Sequence, residues 1–303
     1  MGKHQVFVPT VAEFAGDIQT SLDIQEPLAK AGYQPGLMVV VRKGIFGVTD
    51  EGVVKKQRNN LAQIASQYGN SDIVIMLSNL PLPDIDTLHY PATARTHLEA
   101  GIDFTRALPI GNKRTLTFHL NSLVPESEFR SKTREQWRAE FDKLVIPTLE
   151  QVAQYGHNND VEVLVETVPV KEFGDDAPNN PEKYMGVQRR ELMNPFYIFN
   201  ENHIDKRIKE SGLGICLDLC HNRTIYEAAH SGNLQRVLFD EDAQEIREMR
   251  GGLIDDLANA QLVHLNDGKG NYTKEDGQFV EGMALGTGDI DFELPILHLK
   301  ANR

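Results

Sequence analysis

The chain has 303 residues, 40% hydrophobic and 25% charged, the composition of an ordinary globular protein. Its 31 basic and 44 acidic residues give a formal charge of −13, a field that repels nucleic acid and anionic lipid unless a basic patch overrides it; the basic clusters are only pairs such as Lys55–Lys56 and Arg189–Arg190. No stretch reaches the roughly 18 apolar residues of a membrane span, the opening MGKHQVFVPT lacks the apolar core of a signal peptide, and Cys216 and Cys220 sit too far apart on one strand for a disulfide, so a cytoplasmic setting is expected.

In chain order, short apolar runs fall at 5–8, 37–41, 73–77, 115–119, 161–165, 214–219 and 261–265. Segments of helical period lie between most of them, such as DEGVVKKQRNNLAQIASQYG and TREQWRAEFDKLVIPTLEQVAQYG. Strands alternating with helices imply βαβ units and a parallel sheet. Seven such units favour an α/β (β/α)8 TIM barrel over a doubly wound sheet, and no GxGxxG opens a helix after the first strand. The whole chain, 1–303, reads as one domain. Two features disturb a regular barrel. The connection from strand five to strand six contains KEFGDDAPNNPEKYMG, and loops of that composition and length are usually functional or disordered. Only 11 residues follow GTGDIDF, so an incomplete or irregular C-terminal eighth unit is expected. An open strand edge of that kind invites cover, a homo-oligomer included.

Active sites of such barrels lie at the C-terminal ends of the strands. Strand two ends in Arg42 and Lys43, strand four in His119, and strand five in Glu166. Strand six ends in Asp218 with His221 just beyond, and strand seven in His264 followed by Asp267. Each has a bland reading. A lone histidine at a strand end is more often packed or hydrogen-bonded than a ligand, and Glu166 could pair with Arg42. Asp218 is harder to dismiss, because a carboxylate between Leu217 and Leu219 is expensive unless paired or bound to a cation. Carboxylates and imidazoles at three consecutive strand ends make a mixed oxygen and nitrogen set for one divalent ion: Mn²⁺, Zn²⁺, Co²⁺, Fe²⁺ or Mg²⁺, with Mn²⁺ or Zn²⁺ preferred. The two cysteines read as small core residues, with a thiolate ligand at Cys220 as the minority alternative.

GICLDLCHN, VHLNDGKG, FHLNSL, VLVET and LGTGDIDF resemble the signature segments of the xylose-isomerase-like TIM barrel superfamily, which holds sugar phosphate isomerases and epimerases, inosose dehydratase and endonuclease IV. The resemblance implies metal ligation by Glu166, Asp218 and His264, substrate contact by His221, and a fourth ligand, a strand-eight Glu, with no counterpart here. It argues against an endonuclease: Val280 and Gly282 stand where that family's metal cluster needs Asp and His, and IVIMLSNL lacks its histidine. The expected activity is a metal-dependent isomerisation or dehydration (lyase chemistry) of a sugar, keto-sugar or related polyhydroxy compound by proton transfer next to a carbonyl. Glu166 and His221 would be catalytic, with Arg42, His119, Asp267 and Arg189 on the substrate. An epimerase ranks below, since inversion uses two opposed carboxylates; Glu281 is a weak replacement for the second. A barrel that binds a ligand or partner without catalysis is the alternative from another class. No nucleic-acid or membrane partner is expected.

Overall fold

A computed structural model describes residues 5–11, 23, 26–32, 34–41, 59, 73–77, 85–108, 113–120, 122–170, 192–230, 237–269, 280–283 and 286–302. Seven strands build one parallel sheet: β1 (Gln5–Val11), β2 (Gln34–Val41), β3 (Ile73–Leu77), β4 (Arg114–His119), β5 (Glu162–Glu166), β6 (Gly214–Asp218) and β7 (Leu262–His264). They are hydrogen-bonded in chain order. That is barrel topology carried through seven strands, and among the described residues no eighth strand joins it. Instead β8 (Asp267–Lys269) and β9 (Val280–Met283) pair antiparallel, and a helix, Glu293–Asn302, follows. The expected irregular eighth unit is therefore present as a hairpin and a helix.

β5 and β6 are buried on both faces from their second residue on, as a parallel sheet covered by helices requires. Leu116, Phe118, Val163, Val165 and Ile215 share a core with Leu98 and Ile102 of α1 (Pro91–Ala107) and with Leu149 and Val152 of α4 (Ile146–Asn158). Between them lie α2 (Glu126–Ser131) and α3 (Arg134–Glu140); α3 opens on a capping box in which Thr133 and Gln136 satisfy each other's backbone N–H. The end of α4 approaches β5 so closely that a Cβ at Gly156 would lie 2.7 Å from Val163 and 2.9 Å from the Val161 carbonyl oxygen, so only glycine fits.

Because strand side chains alternate, the residues between those core positions face the other side of the sheet: Thr117 and His119, Leu164 and Glu166, Cys216 and Asp218. Register brings them to one end, with His119 beside Glu166, Glu166 beside Cys216, and Asp218 beside His264. The outer layer continues with α5 (His203–Glu210), α6 (Leu219–His230), α7 (Asp240–Glu248) and α8 (Leu253–Asn259). Among the described residues, no helix is long and apolar enough to cross a membrane.

Candidate metal centre

Glu166, at the last position of β5, is completely buried and stands between two imidazoles. Its Oε1 lies 2.8 Å from His264 Nδ1, and its Oε2 lies 3.2 Å from His119 Nε2. That second approach is out of line for a hydrogen bond, so Oε2 is a buried carboxylate oxygen whose hydrogen-bonding capacity is not met. Burial alone would raise the Glu166 carboxyl, but His264 and His119 hold it well below its ordinary range. Burial pulls the His264 imidazole down, yet the Cys216 sulfur and Glu166 beside it hold it well above its ordinary value. Burial also pushes the Cys216 thiol up to about 11, so it keeps its proton at neutral pH. Glu166 is then the charge that His264 answers.

Asp218 closes β6 and opens α6. Its Oδ1 accepts the backbone N–H groups of Cys220 (2.8 Å) and His221 (3.1 Å), the work of an N-cap. Cys220 and His221 therefore lie in the first turn of a helix; the apolar run 214–219 continues as strand only to Asp218. Both cysteines are free thiols and buried. Asp218 Oδ2 accepts from Asn266 Nδ2 (2.6 Å) and lies 3.8 Å from His264 Nδ1. His221 Nδ1 donates to the Thr167 carbonyl oxygen (2.8 Å), and its ring meets that of His119 edge-on, 5.7 Å between centres.

Two sets of three ligand atoms lie within 4.8 Å of one another among the described residues: His119, Glu166 and His221, and Glu166, Cys216 and His264. Of the expected trio, Glu166 and His264 touch, and Asp218 joins through His264. A divalent ion fits this donor set: buried, anionic at its centre, and of mixed carboxylate and imidazole character. The second set also contains a sulfur that sequence reasoning left in the core.

Asp267 is committed elsewhere. Its Oδ1 accepts from Gly268 N (2.8 Å) and Ile290 N (3.2 Å), and its Oδ2 from Gly286 N (2.9 Å) and Gly288 N (2.8 Å). Burial would raise this carboxyl, and the four backbone donors hold it below its ordinary value. Through these four bonds Asp267 fastens the GTGDI turn to β8. Arg42, Lys43, Arg189 and Arg190 lie outside the described residues, as does the side chain of Glu281 on β9. Sequence reasoning missed Thr167, whose Oγ1 accepts from Asp218 N (2.9 Å), and Asn266, although both stand inside the quoted segments VLVET and VHLND.

No protein-family model and no curated protein matches the sequence. Solved structures do. An L-ribulose 3-epimerase is similar at 16% identity and a TM-score of 0.50, over 99% of this chain and 78% of that one. A xylose isomerase domain protein from Planctomyces limnophilus is similar at 14% identity and a TM-score of 0.53, over 99% of this chain and 88% of that one. At these identities the likeness establishes a shared α/β barrel fold.

Proposed function

We propose that the chain is a divalent-metal-dependent enzyme of the sugar epimerase and isomerase type, acting on a ketose or related polyhydroxy compound. The observation that carries this reading is Glu166: a fully buried carboxylate at a strand end, with an imidazole on each oxygen and Asp218 and His221 alongside. Glu166, His264 and Asp218 would hold the ion, with His119 and His221 flanking it. A cation there supplies positive charge that polarises a substrate carbonyl and stabilises the negative charge arising on it.

The residues of the chain do the rest. Glu166, kept anionic by its histidine neighbours, takes the proton from the carbon next to the carbonyl, and a solvent-derived proton is returned to that carbon. His221, its ring fixed by the bond from Nδ1 to Thr167, presents its other nitrogen to a substrate hydroxyl. His119 at 3.2 Å steadies the Glu166 carboxylate. Epimerisation at C3 is the favoured chemistry, because a 3-epimerase is similar over 99% of this chain. One observation supports isomerisation or dehydration as a second reading: Asp218 spends its oxygens on two backbone N–H groups and Asn266, which makes it a poor second base for the opposite face.

The reaction is distinguished by incubating ketoses with the protein and Mn²⁺ in deuterated water. Deuterium at C3 with inversion is expected for the epimerase, and deuterium at C2 of the aldose formed for the isomerase. Glu166→Gln is expected to lower turnover by about 10²- to 10⁴-fold. Absence of exchange at any carbon across a panel of ketoses would leave a binding barrel as the better reading.

A further inference from the structure

We infer that Cys216 is a positioning residue of the metal centre: its sulfur accepts the Nε2–H of His264 and so aims Nδ1 at the acidic side of the site. The inference rests on the metal-centre reading above and adds a residue to it. Cys216 and Asp218 are two apart on β6, so both face the site, and register sets Asp218 beside His264 and Cys216 beside Leu262, one step back. The His264 ring spans that step. On one edge Nδ1 lies 2.8 Å from Glu166 and 3.8 Å from Asp218; on the other Nε2 lies 3.4 Å from Cys216 Sγ.

The two nitrogens of one imidazole point to opposite edges and cannot both reach one ion. If Nδ1 is the ligating atom, Nε2 must carry the ring proton, and that proton needs an acceptor away from water. Metal-ligating histidines ordinarily find one in a carboxylate or a backbone carbonyl. Here the group within reach is a completely buried sulfur, a weak but polarisable acceptor. Removing it would leave Nε2–H unmatched and the ring free to turn, which moves Nδ1 off the acidic edge. A residue that merely filled space would not set which nitrogen faces the acids.

The test is Mn²⁺ affinity, by calorimetry or by the spin resonance of free Mn²⁺, in the full chain and in Cys216→Ala and Cys216→Ser. Cys216→Ala is expected to bind about 10- to 100-fold more weakly, and Cys216→Ser, whose hydroxyl oxygen accepts the same proton, to lose less. Loading the unmutated chain with Co²⁺ should give no sulfur-to-cobalt charge-transfer band, because the sulfur lies behind the ring. Such a band would make Cys216 a ligand and overturn the positioning role, and this measurement decides the matter even if Cys216→Ala fails to fold. Equal Mn²⁺ affinity in Cys216→Ala would overturn the inference while leaving the metal centre standing. No Mn²⁺ binding by the unmutated chain would bring down both.

Discussion

The proton that His264 holds in the metal-free chain has a consequence for metal uptake. Its imidazole sits well above its ordinary pKa because burial, which opposes the charge, is outweighed by neighbours that favour it, with Glu166 supplying the lasting negative charge. A cation arriving at Nδ1 must displace that proton, so binding is expected to release about one proton and to tighten roughly tenfold per pH unit below the His264 pKa. Calorimetry in two buffers of different ionisation enthalpy reads the proton directly; identical heats would mean that Nδ1 is not the ligating atom. In the metal-free protein, the raised His264 contributes stability below about pH 6.5 that is lost as pH rises through its folded pKa. The depressed Glu166 contributes above about pH 4.3 and is lost in acid. Asp256 works the other way. Burial pushes its carboxyl up to about 7, with Asn222, Tyr226 and the Asn200 amide opposing the rise and Asp205 adding to it. The folded chain therefore keeps a proton that the unfolded chain releases near pH 3.9, and stability falls as pH rises from about 4 to about 7. Urea midpoints at pH 5 and pH 8 are expected to differ by less in Asp256→Asn than in the parent, by roughly 2–4 kcal/mol in the extracted stabilities; an unchanged difference would mean that Asp256 is already ionised at pH 5.

One carboxylate fastens an entire element in the C-terminal part of the sheet. Asp267 takes four backbone N–H groups, three of them from Gly286, Gly288 and Ile290, and the Gly268 carbonyl oxygen adds Asp289 N (2.8 Å) and Arg223 Nη1 (3.1 Å). Gly288 fits so closely that a Cβ there would lie 2.3 Å from the Gly268 carbonyl oxygen. Asp267→Ala strands those donors and is expected to cost about 2–4 kcal/mol, read as faster hydrogen exchange at 286–290 with metal affinity kept. A raised KM with unchanged exchange would instead support the substrate contact expected from sequence. Sequence reasoning sees such an element only in part. The seven strands were legible because each is a short apolar run, and Glu166, Asp218 and His264 were legible as polar residues breaking such runs near their ends. The start of α6 was misread because Leu219 and Cys220 prolong the apolar pattern, although Asp218 is a preferred N-cap residue. Asp267 and Cys216 were illegible for a different reason. Their partners lie 19–23 and 48 residues away and meet them only once turn and register are formed.

At the scale of the molecule, the same illegibility applies to what clamps the layer behind the site. Asp242 on α7 is fully buried and takes Arg134 Nε at 2.7 Å, Arg138 Nη2 at 2.9 Å and the Tyr197 hydroxyl. Arg134 also donates to the Pro195 carbonyl oxygen (2.6 Å), and its guanidinium lies 4.6 Å from the Tyr197 ring centre. Three segments distant in sequence, α3, residues 195–199 and α7, are thereby locked together. The same 195–199 segment is held from the other side by Asn222, the neighbour of His221, whose Nδ2 donates to the Ile198 carbonyl oxygen (3.2 Å). A buried ion pair is costly to break but seldom a net source of stability. Asp242→Asn should therefore lose about 3–5 kcal/mol by leaving Arg134 uncompensated, whereas Asp242→Leu combined with Arg134→Met should regain most of it. If the clamp serves only the packing of the layer, the double variant recovers both its denaturation midpoint and its metal affinity. Should stability return while Mn²⁺ affinity stays low, the charge pair is also setting the position of the helix that carries His221.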